Sequence, residues 1–359
     1  MGKNLFEKEQ QNTPFFSILI PSYNRPEYII KCLNSVISND FQDFEIVISD
    51  DYSQSSKEIE NKIKPYLKKH KIRFYSQKNN LKEPGNKNFL VSKAIGKFNI
   101  MLCDDDMLFH NSLSTIYKYI TLNPGNDIYL FGYSVIDELD RFIYKRSNPS
   151  QFEINHNQTD LIKEFLNFDI FPFWFFHPAM FCCKEGLEIK NKYSSNVGIG
   201  EDFMFLIELL KNKNKMFVIP KSLLKWRKII NSQNVKQINQ SLGYFNNIIA
   251  RRKILNELIN TKGFNNSINS YLKSIKFRRI FLYRQMKILN IKNNFEDINL
   301  NKELWAEYQY YSKKTNIFTV KCQSYLSRCI KYISIFGIKG LFSIMKICFD
   351  RFLYKIYTN

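Results

Sequence analysis

Residues 15–51 read FFSILIPSYNRPEYIIKCLNSVISNDFQDFEIVISDD, and their pattern of apolar residues is the strongest indication of the fold. Phe15–Ile20 is a short apolar run that ends at Pro21, and Phe44–Ser49 is a second such run. Between them, over Glu27–Ser38, apolar residues recur at the spacing of an amphipathic helix. Short apolar strands of this kind are typical of parallel sheets buried on both faces. The stretch therefore predicts a strand, a helix and a parallel strand.

The same alternation continues along the chain. Further strands are predicted at Ile72–Ser76, Phe98–Cys103, Asp127–Tyr133 and Met216–Pro220. Further helices are predicted at Lys57–His70, Asn86–Ile95, Asn111–Thr121 and Phe203–Leu210. Strands that alternate with helices in this way predict an α/β fold with a doubly wound sheet, in which ligands bind beyond the carboxyl ends of the strands.

Polar clusters follow three of these strands, namely Ser22-Tyr23-Asn24, Asp50-Asp51 and Asp104-Asp105-Asp106. Adjacent carboxylates repel one another, and a divalent cation bound to a diphosphate would compensate them, since Mg²⁺ and Mn²⁺ prefer oxygen ligands. An isolated triple Asp is more often a solvated turn or a helix cap. Asp50-Asp51 could bind a base or a ribose, or could form an Asx turn.

A fourth acidic pair, Glu201-Asp202, follows a Gly-x-Gly turn at the start of a predicted helix. A carboxylate at a helix start is favoured by the helix dipole alone. The functional interpretation is a general base that the helix presents to a cleft.

Taken together, these motifs resemble those of the family 2 glycosyltransferases of the GT-A fold. FSILIPSYNRPEYIIKCLNSVISNDFQDFEIVISDDYSQ resembles the first motif of that family, GNKNFLVSKAIGKFNIMLCDDDM resembles the segment with its DXD-like Asp cluster, and GEDFMFLIELL resembles its Glu-Asp motif. The resemblance covers roughly residues 15–230. It implies a mixed, mostly parallel sheet and an inverting displacement at the anomeric carbon of a nucleotide-linked sugar.

The resemblance also assigns roles to residues. The nucleotide-sugar site would comprise Pro21, Tyr23, Asp51, Lys87, Asp104 and Asp105. Asp106 would be the main ligand of a divalent Mn²⁺ or Mg²⁺, with Asp104 as a second ligand. Asp202 would be the catalytic base, with Glu201 beside it.

Two motifs depart from the family pattern. Many relatives carry Ala-Arg-Asn where this chain has Asn86-Lys87-Asn88. A Lys binds a phosphate as a point charge, whereas an Arg guanidinium can bind it with two hydrogen bonds. Many relatives also carry Tyr-Arg-x-His near the end of the catalytic domain. Trp226-Arg227-Lys228-Ile229 lacks that His, which puts a histidine ligand to the metal in doubt.

The aromatic stretch Phe171–Phe181 precedes the Glu-Asp motif. Aromatic faces stack on the C–H surfaces of sugars, so Trp174 or His177 could border an acceptor site. A core strand with its turn accounts for the same residues equally simply, because aromatic side chains are mostly buried.

Charge is distributed unevenly along the 359 residues, whose net charge is +20. Residues 1–215 hold 27 basic and 27 acidic side chains, whereas residues 216–359 hold 26 basic and 6 acidic ones. We therefore predict a polar tail over 1–14, a catalytic domain over 15–221 and a basic, mainly helical region over 222–359. An apolar stripe over 338–356 predicts an amphipathic helix that binds an anionic membrane surface or packs on the protein.

The seven cysteines include no CxxC pair, and with four histidines they do not predict a structural zinc site. Free thiols are typical of a reducing compartment. The polar N-terminus has no apolar signal core, and no apolar run reaches the length of a membrane-spanning helix. We therefore expect a cytoplasmic protein, peripheral on the inner face of the cell membrane.

The prediction from sequence is a bacterial hexosyl- or N-acetylhexosaminyltransferase that uses a UDP-sugar and acts on a glycan or lipid-linked glycan in polysaccharide biosynthesis. A metal-dependent nucleotidyltransferase is an alternative, but that class would be expected to carry a Gly-rich phosphate loop where this chain has SYNRPE. A nucleic-acid-binding protein that uses the basic half is a second alternative. No recognised nucleic-acid motif supports it, and we expect no nucleic-acid partner.

Overall fold

A computed structural model describes residues 13–67, 69–147, 151–155, 157, 159, 181–187, 192–193, 201–229 and 263–273. The strands in these residues are β1 (Phe16–Ser22), β2 (Phe44–Asp50), β3 (Ile72–Ser76), β4 (Phe98–Met101), β5 (Met107–Leu108), β6 (Ile128–Ile136), β7 (Phe142–Arg146), β8 (Phe152–Ile154), β9 (Phe181–Lys184) and β10 (Met216–Arg227). The helices are α1 (Ile29–Ile37), α2 (Ser56–Leu67), α3 (Lys82–Lys93), α4 (Ser112–Leu122), α5 (Glu201–Lys211) and α6 (Asn266–Lys273).

All ten of these strands belong to one mixed sheet. Eight of them follow the order β3-β2-β1-β4-β9-β6-β10-β5, while β7 pairs with β6 and β8 pairs with β10. β3, β2, β1 and β4 are parallel neighbours. β9 lies antiparallel between β4 and β6, and β10 runs parallel to β6. The α/β fold class predicted from sequence is confirmed.

Alternating side chains of the central strands pack into two cores on opposite faces of the sheet, as the two-residue period of a strand requires. Ile18 and Ile20 of β1 pack in the same core as Leu33 and Val36 of α1. Leu19 packs on the other face, in the core that contains residues of α3 and α5. Helices therefore cover both faces of the sheet, and the carboxyl ends of its parallel strands share one open edge.

The two largest errors in the predicted boundaries both occur at prolines. α3 begins at Lys82 rather than Asn86, because Pro84 lies in its first turn, where a helix tolerates proline. β10 continues past Pro220 to Arg227, through a register shift against β6 between Val218 and Ser222. Since a bulge accommodates proline in a strand, the boundary predicted after residue 221 falls inside β10.

Little of the predicted basic C-terminal region lies in the described part of the chain. α6 belongs to it, and Ile268 of α6 is buried in the core shared with α3 and α5. The amphipathic helix predicted over 338–356 lies outside the described residues. Among the helices that are described, none is long and apolar enough to cross a membrane.

A buried polar network fixes the amino-terminal edge of the parallel strands. The carboxylate of Glu45 accepts hydrogen bonds from the Ser17 hydroxyl at 2.6 Å and from the Ile95 backbone N–H at 2.8 Å. The Arg73 guanidinium pairs with the second oxygen of that carboxylate. The Gly96 N–H donates to the Ser17 hydroxyl at 2.8 Å. A Cβ at Gly96 would lie only 2.6 Å from the backbone nitrogen of Ser17.

We predict that Gly96→Ala destabilises the domain by about 1–3 kcal/mol, because the added methyl group would push against the β1 backbone. Lys97→Ala, at an exposed neighbouring position, should change the free energy of unfolding by less than about 0.5 kcal/mol. Urea unfolding of the three proteins measures both effects. Equal midpoints for wild type and Gly96→Ala would contradict the close approach.

Candidate active site

The polar segments after β1, β2 and β4 meet at the carboxyl edge of the sheet. The Asp51 N–H donates to the carbonyl oxygen of Ser22 at 2.9 Å. The Tyr23 N–H donates to the Asp104 carboxylate at 3.3 Å. The Arg25 guanidinium contacts Asp104 at 3.0 Å and Asp105 at 2.9 Å. The structure therefore brings together the segments that the sequence predicts to line a nucleotide site.

The Asp51 side chain lies where the turns after β1, β2 and β3 converge. It is nearly buried, and its Oδ1 accepts a hydrogen bond from the Leu81 N–H at 2.6 Å. Burial raises the pKa of this carboxyl group, while the Leu81 N–H opposes the rise. Pro21 is half-buried at the end of β1. Tyr23 is 39% exposed, so a planar ligand could reach its ring.

The preceding residue, Asp50, has a structural task. Its carboxylate accepts hydrogen bonds from the hydroxyl and the backbone N–H of Ser53. The next turn residue, Tyr52, is 59% exposed and has a φ of 61°. Asp50 therefore closes the turn after β2 from three residues away, rather than from two as in an Asx turn, whereas Asp51 remains available to the site.

The Asp104–Asp106 turn offers a place for a divalent cation. One ligand atom from each of Cys103, Asp105 and Asp106 lies within 4.8 Å of the others. The two carboxylates suit Mn²⁺ or Mg²⁺, whereas the thiol is a soft ligand that suits neither ion. Burial raises the pKa of the Cys103 thiol well above its usual range, and the neighbouring Asp106 and Asp105 raise it further. The residues present fit a hard cation with the two carboxylates as its protein ligands.

Asp104 shares the Arg25 guanidinium with Asp105 but is not part of the Cys103–Asp105–Asp106 group. Both of its oxygens accept hydrogen bonds, from the Tyr23 N–H and from the Arg25 guanidinium. Burial raises the pKa of Asp104, although Arg25 opposes the rise. The geometry favours Asp105 over Asp104 as the partner of Asp106 in a metal site, and the role of Asp104 as a ligand stays a prediction.

Arg227, at the end of β10, holds the acidic turn in place. Its backbone N–H donates to Asp106 Oδ1 at 2.8 Å, and its Nε–H donates to the carbonyl oxygen of Asp105 at 2.8 Å. The guanidinium also pairs with Asp140 and lies 4.9 Å from the ring centre of Tyr28. At this end of the domain the sequence showed only a missing His. It did not predict that Arg227, two residues before the position of that His, would bind the Asp104–Asp106 turn.

Lys87 and the Glu201-Asp202 pair form a second buried cluster. The Lys87 ammonium lies 2.6 Å from Glu201, 3.0 Å from Asp202 and 2.9 Å from Glu83. Lys87 and Cys103 also interact electrostatically, so this cluster adjoins the acidic turn. The structure thus brings the predicted base near the predicted metal site, and the Lys87 ammonium forms an ion pair with that base, Asp202.

The charges of this cluster are strongly coupled. Burial alone would lower the pKa of Lys87, but the carboxylates of Asp202, Glu83 and Glu201 outweigh it and raise that pKa well above its usual range. Burial raises the pKa of Glu201 to about 8, with Lys87 opposing the rise and Asp202 adding to it. The pKa of Glu201 therefore lies above its usual range, while Lys87 stays charged at neutral pH.

Sequence reasoning missed Arg25 and Arg227 as site residues. Arg25 stands five residues after the predicted strand end at Ile20, in a turn predicted to lie at the same end of the sheet as Asp104-Asp105-Asp106, and an Arg in that turn is a usable signal. No comparable signal marks Arg227. The predicted acceptor residues Trp174 and His177, and the Gly-x-Gly turn at 198–200, lie outside the described residues.

Comparisons with known proteins agree on one family. The family described as Glycosyl transferase family 2 matches residues 17–182. An uncharacterized glycosyltransferase of Methanocaldococcus jannaschii is 28% identical over 220 residues, which are 61% of this chain and 72% of the relative. The poly(ribitol-phosphate) beta-N-acetylglucosaminyltransferase TarP of Staphylococcus aureus is 26% identical over 63% of this chain and 67% of its own length.

Solved structures show the same fold. TarS 1–349 of S. aureus in complex with UDP-GlcNAc superimposes with a TM-score of 0.60 at 18% identity, over 91% of this chain and 89% of the other. The mannosyltransferase PcManGT of Pyrobaculum calidifontis, in complex with GDP-Man and Mn²⁺, gives a TM-score of 0.53 at 10% identity, over 95% and 88%. The chain is therefore a glycosyltransferase with the GT-A fold, and its residues 17–182 belong to glycosyltransferase family 2.

Proposed function

We propose that this protein transfers a sugar from a nucleoside diphosphate donor, UDP-linked, to a hydroxyl group of a glycan with inversion at the anomeric carbon. The observation that carries the proposal is the arrangement of two acidic clusters side by side at one edge of the sheet. Asp105 and Asp106 can share a cation. Glu201 and Asp202 are held around Lys87, whose ammonium is near enough to Cys103 of the acidic turn to lower the pKa of that thiol. A leaving-group site beside a base is what the displacement needs.

The donor would bind across the carboxyl ends of β1, β2 and β4. Asp51 and Tyr23 would contact the base and Asp104 the ribose, and each is placed at this edge. TarS holds UDP-GlcNAc and PcManGT holds GDP-Man with Mn²⁺, which supports a nucleotide sugar as donor and a divalent cation as cofactor. We propose UDP-hexose or UDP-N-acetylhexosamine with Mn²⁺ or Mg²⁺ held by Asp105 and Asp106.

In the chemical step, the acceptor hydroxyl attacks the anomeric carbon from the face opposite the diphosphate. Asp202 takes the proton of that hydroxyl as the new C–O bond forms. The bond between the anomeric carbon and the phosphate oxygen breaks, and its electron pair leaves with the nucleoside diphosphate. The bound cation would stabilise the negative charge of this leaving group. Glu201 lies beside the base and accepts a hydrogen bond from the same Lys87 ammonium at 2.6 Å.

A glycan or lipid-linked glycan is the proposed acceptor. The acceptor of TarP is named as poly(ribitol phosphate), a surface polymer, and supports an acceptor of that broad class. Location at the inner face of the membrane remains a proposal from the net charge of residues 216–359 and the stripe at 338–356. Anionic lipid attracts each nearby Lys or Arg by about 1 kcal/mol, so several contacts would bind the protein.

We predict that Asp106→Asn weakens Mn²⁺-dependent binding of UDP at least about 10-fold. Removal of a residue that only hydrogen-bonds to a metal ligand already lowers metal affinity by this much, and Asp106 is proposed as a ligand itself. The amide retains an oxygen that can accept the Arg227 N–H, so the turn should persist. Asp43→Asn, an exposed carboxylate elsewhere on the domain, is the control. Calorimetric titration with UDP, with and without Mn²⁺, measures the effect. Unchanged affinity would remove Asp106 from the metal site.

We predict that Asp202→Asn lowers the rate of sugar transfer by about 10²–10⁴-fold, because the variant lacks the proton acceptor. Binding of UDP with Mn²⁺ should be retained. Glu208→Gln on the same helix removes a carboxylate that pairs with Lys211, and it should keep the wild-type rate. Initial rates of UDP release report the comparison. If Asp202→Asn and Glu208→Gln turn over equally fast, a different residue is the base.

We predict that deletion of residues 338–359 releases the protein from anionic vesicles while UDP binding persists. The physical reason is the loss of an apolar stripe together with its basic residues. Co-sedimentation with vesicles of anionic and neutral lipid, at low and high salt, tests this. A full-length protein that ignores anionic vesicles, with a truncated protein that melts at lower temperature, would show instead that the segment packs on the protein.

A further inference from the structure

Lys87 is a fully buried cation of the site. Its side chain is fully buried, and its ammonium lies within 3.0 Å of carboxylate oxygens of Glu83, Glu201 and Asp202. Glu83 precedes it by one helical turn on α3 and is 61% exposed. Glu201 and Asp202 come from the first turn of α5 and are both nearly buried. Two of the three partners of Lys87 are therefore the proposed base, Asp202, and its neighbour Glu201.

The number of contacts restricts what else Lys87 can do. An ammonium group has three N–H donors and no acceptor. Two of these donors form hydrogen bonds to Glu201 and Asp202, and the ammonium also forms an ion pair with Glu83 at 2.9 Å. A phosphate oxygen that bound Lys87 would therefore have to compete with three carboxylates that already surround the ammonium. The geometry thus argues against the phosphate-binding role that the family pattern assigns to this position.

The neighbouring residue ties the same two helices together by a different interaction. The Asn88 side chain donates to the carbonyl oxygen of Tyr193 and accepts from its N–H, both at 2.9 Å. The ring of Tyr193 stacks on Phe205 of α5, with 4.6 Å between centroids. The same ring lies 5.4 Å from the Lys87 ammonium. Positions 87 and 88 of α3 therefore both fix the start of α5, one by charge and the other through Tyr193.

We propose that Lys87 is a positioning residue for the catalytic base and not a ligand of the donor phosphates. Its ammonium orients the carboxylate of Asp202 and holds Glu201 beside it, so that the base faces the acceptor hydroxyl in one arrangement. This inference rests on the proposed function, since it assigns a partner to the base of that reaction. Displacement of a catalytic group by about 1 Å can cost about 10²-fold in rate, so a partner of this kind has a measurable effect.

The test compares Lys87→Gln, which removes the charge, with Lys87→Arg, which keeps it. Lys93→Gln is the matched control, because Lys93 lies on the same helix and contacts the rings of Tyr75 and Phe89 instead. The donor is the nucleotide sugar that stabilises the wild-type protein most with Mn²⁺ in a thermal screen. Its hydrolysis is followed as release of the nucleoside diphosphate, because water attacking the anomeric carbon needs the same base. Binding of UDP with Mn²⁺ is measured separately.

For Lys87→Gln we expect kcat to fall about 10²-fold. We expect the Kd of UDP with Mn²⁺ to stay within about 2-fold of the wild-type value, a smaller change than the loss of one hydrogen bond to UDP would cause. The acid limb of the kcat profile should move to higher pH, because a carboxylate protonates more readily once an adjacent cation is removed. The charged groups around position 87 are Glu83, Glu201 and Asp202, with Cys103 nearby. Lys87→Arg should recover most of the rate, and Lys93→Gln should behave as wild type.

The opposite pattern would overturn the proposal. If Lys87→Gln weakens UDP binding about 10-fold or more and leaves kcat unchanged, then Lys87 is a phosphate ligand. Loss of a charged contact to phosphate, of about 1.5–3 kcal/mol, would weaken binding by that much. Failure of the wild-type protein to bind UDP or to hydrolyse any donor would instead count against the proposed function itself.

Loss of the buried ammonium leaves carboxylates unpaired, and Lys87→Gln could therefore unfold. The double variant Lys87→Gln/Glu201→Gln removes one of those charges and should melt closer to the wild-type temperature. Compared with Glu201→Gln alone, the double variant should still show the reduced kcat. If its kcat equals that of Glu201→Gln, Lys87 contributes only to stability and the proposal is wrong.

Discussion

Three cationic side chains, Arg25, Lys87 and Arg227, make it possible for the acidic residues of the site to lie together at one buried edge. Arg25 bridges the first two carboxylates of the acidic turn. Arg227 binds that turn through its backbone N–H and its Nε–H. Lys87 binds the acid pair at the start of α5. A buried carboxylate without such a partner would become protonated or would destabilise the fold.

The three cations come from different parts of the chain and from different elements. Arg25 lies in the turn after β1, Lys87 in α3 and Arg227 at the end of β10. Each therefore couples the acidic residues to another layer of the domain. Arg227 extends this coupling to the turn between β6 and β7 through Asp140. Since a metal site and a base need fixed geometry, this network of ion pairs gives rigidity where the chemistry is proposed to occur.

Asp50, Asp51 and the acidic turn show how neighbouring carboxylates come to differ in role. Asp50 is held by Ser53 in a turn, whereas Asp51 lies at the meeting point of three loops. Asp104 faces the end of β1, while Asp105 and Asp106 approach Cys103. Adjacent residues of a turn point in different directions, so the one-dimensional order of the motif could not distinguish them.

The amino-acid sequence alone determined the α/β class, the positions of the main strands and helices, and the edge at which the polar segments meet. It could do so because apolar periodicity and strand ends are local properties of the chain. The extents of α3 and β10 were misjudged, because Pro84 and Pro220 are local breakers that a first helical turn and a bulge accommodate. Only the tertiary structure decided which cation meets which carboxylate. Lys87 lies 114 residues from Glu201 in sequence, and their contact depends on the packing of two helices on one face of the sheet.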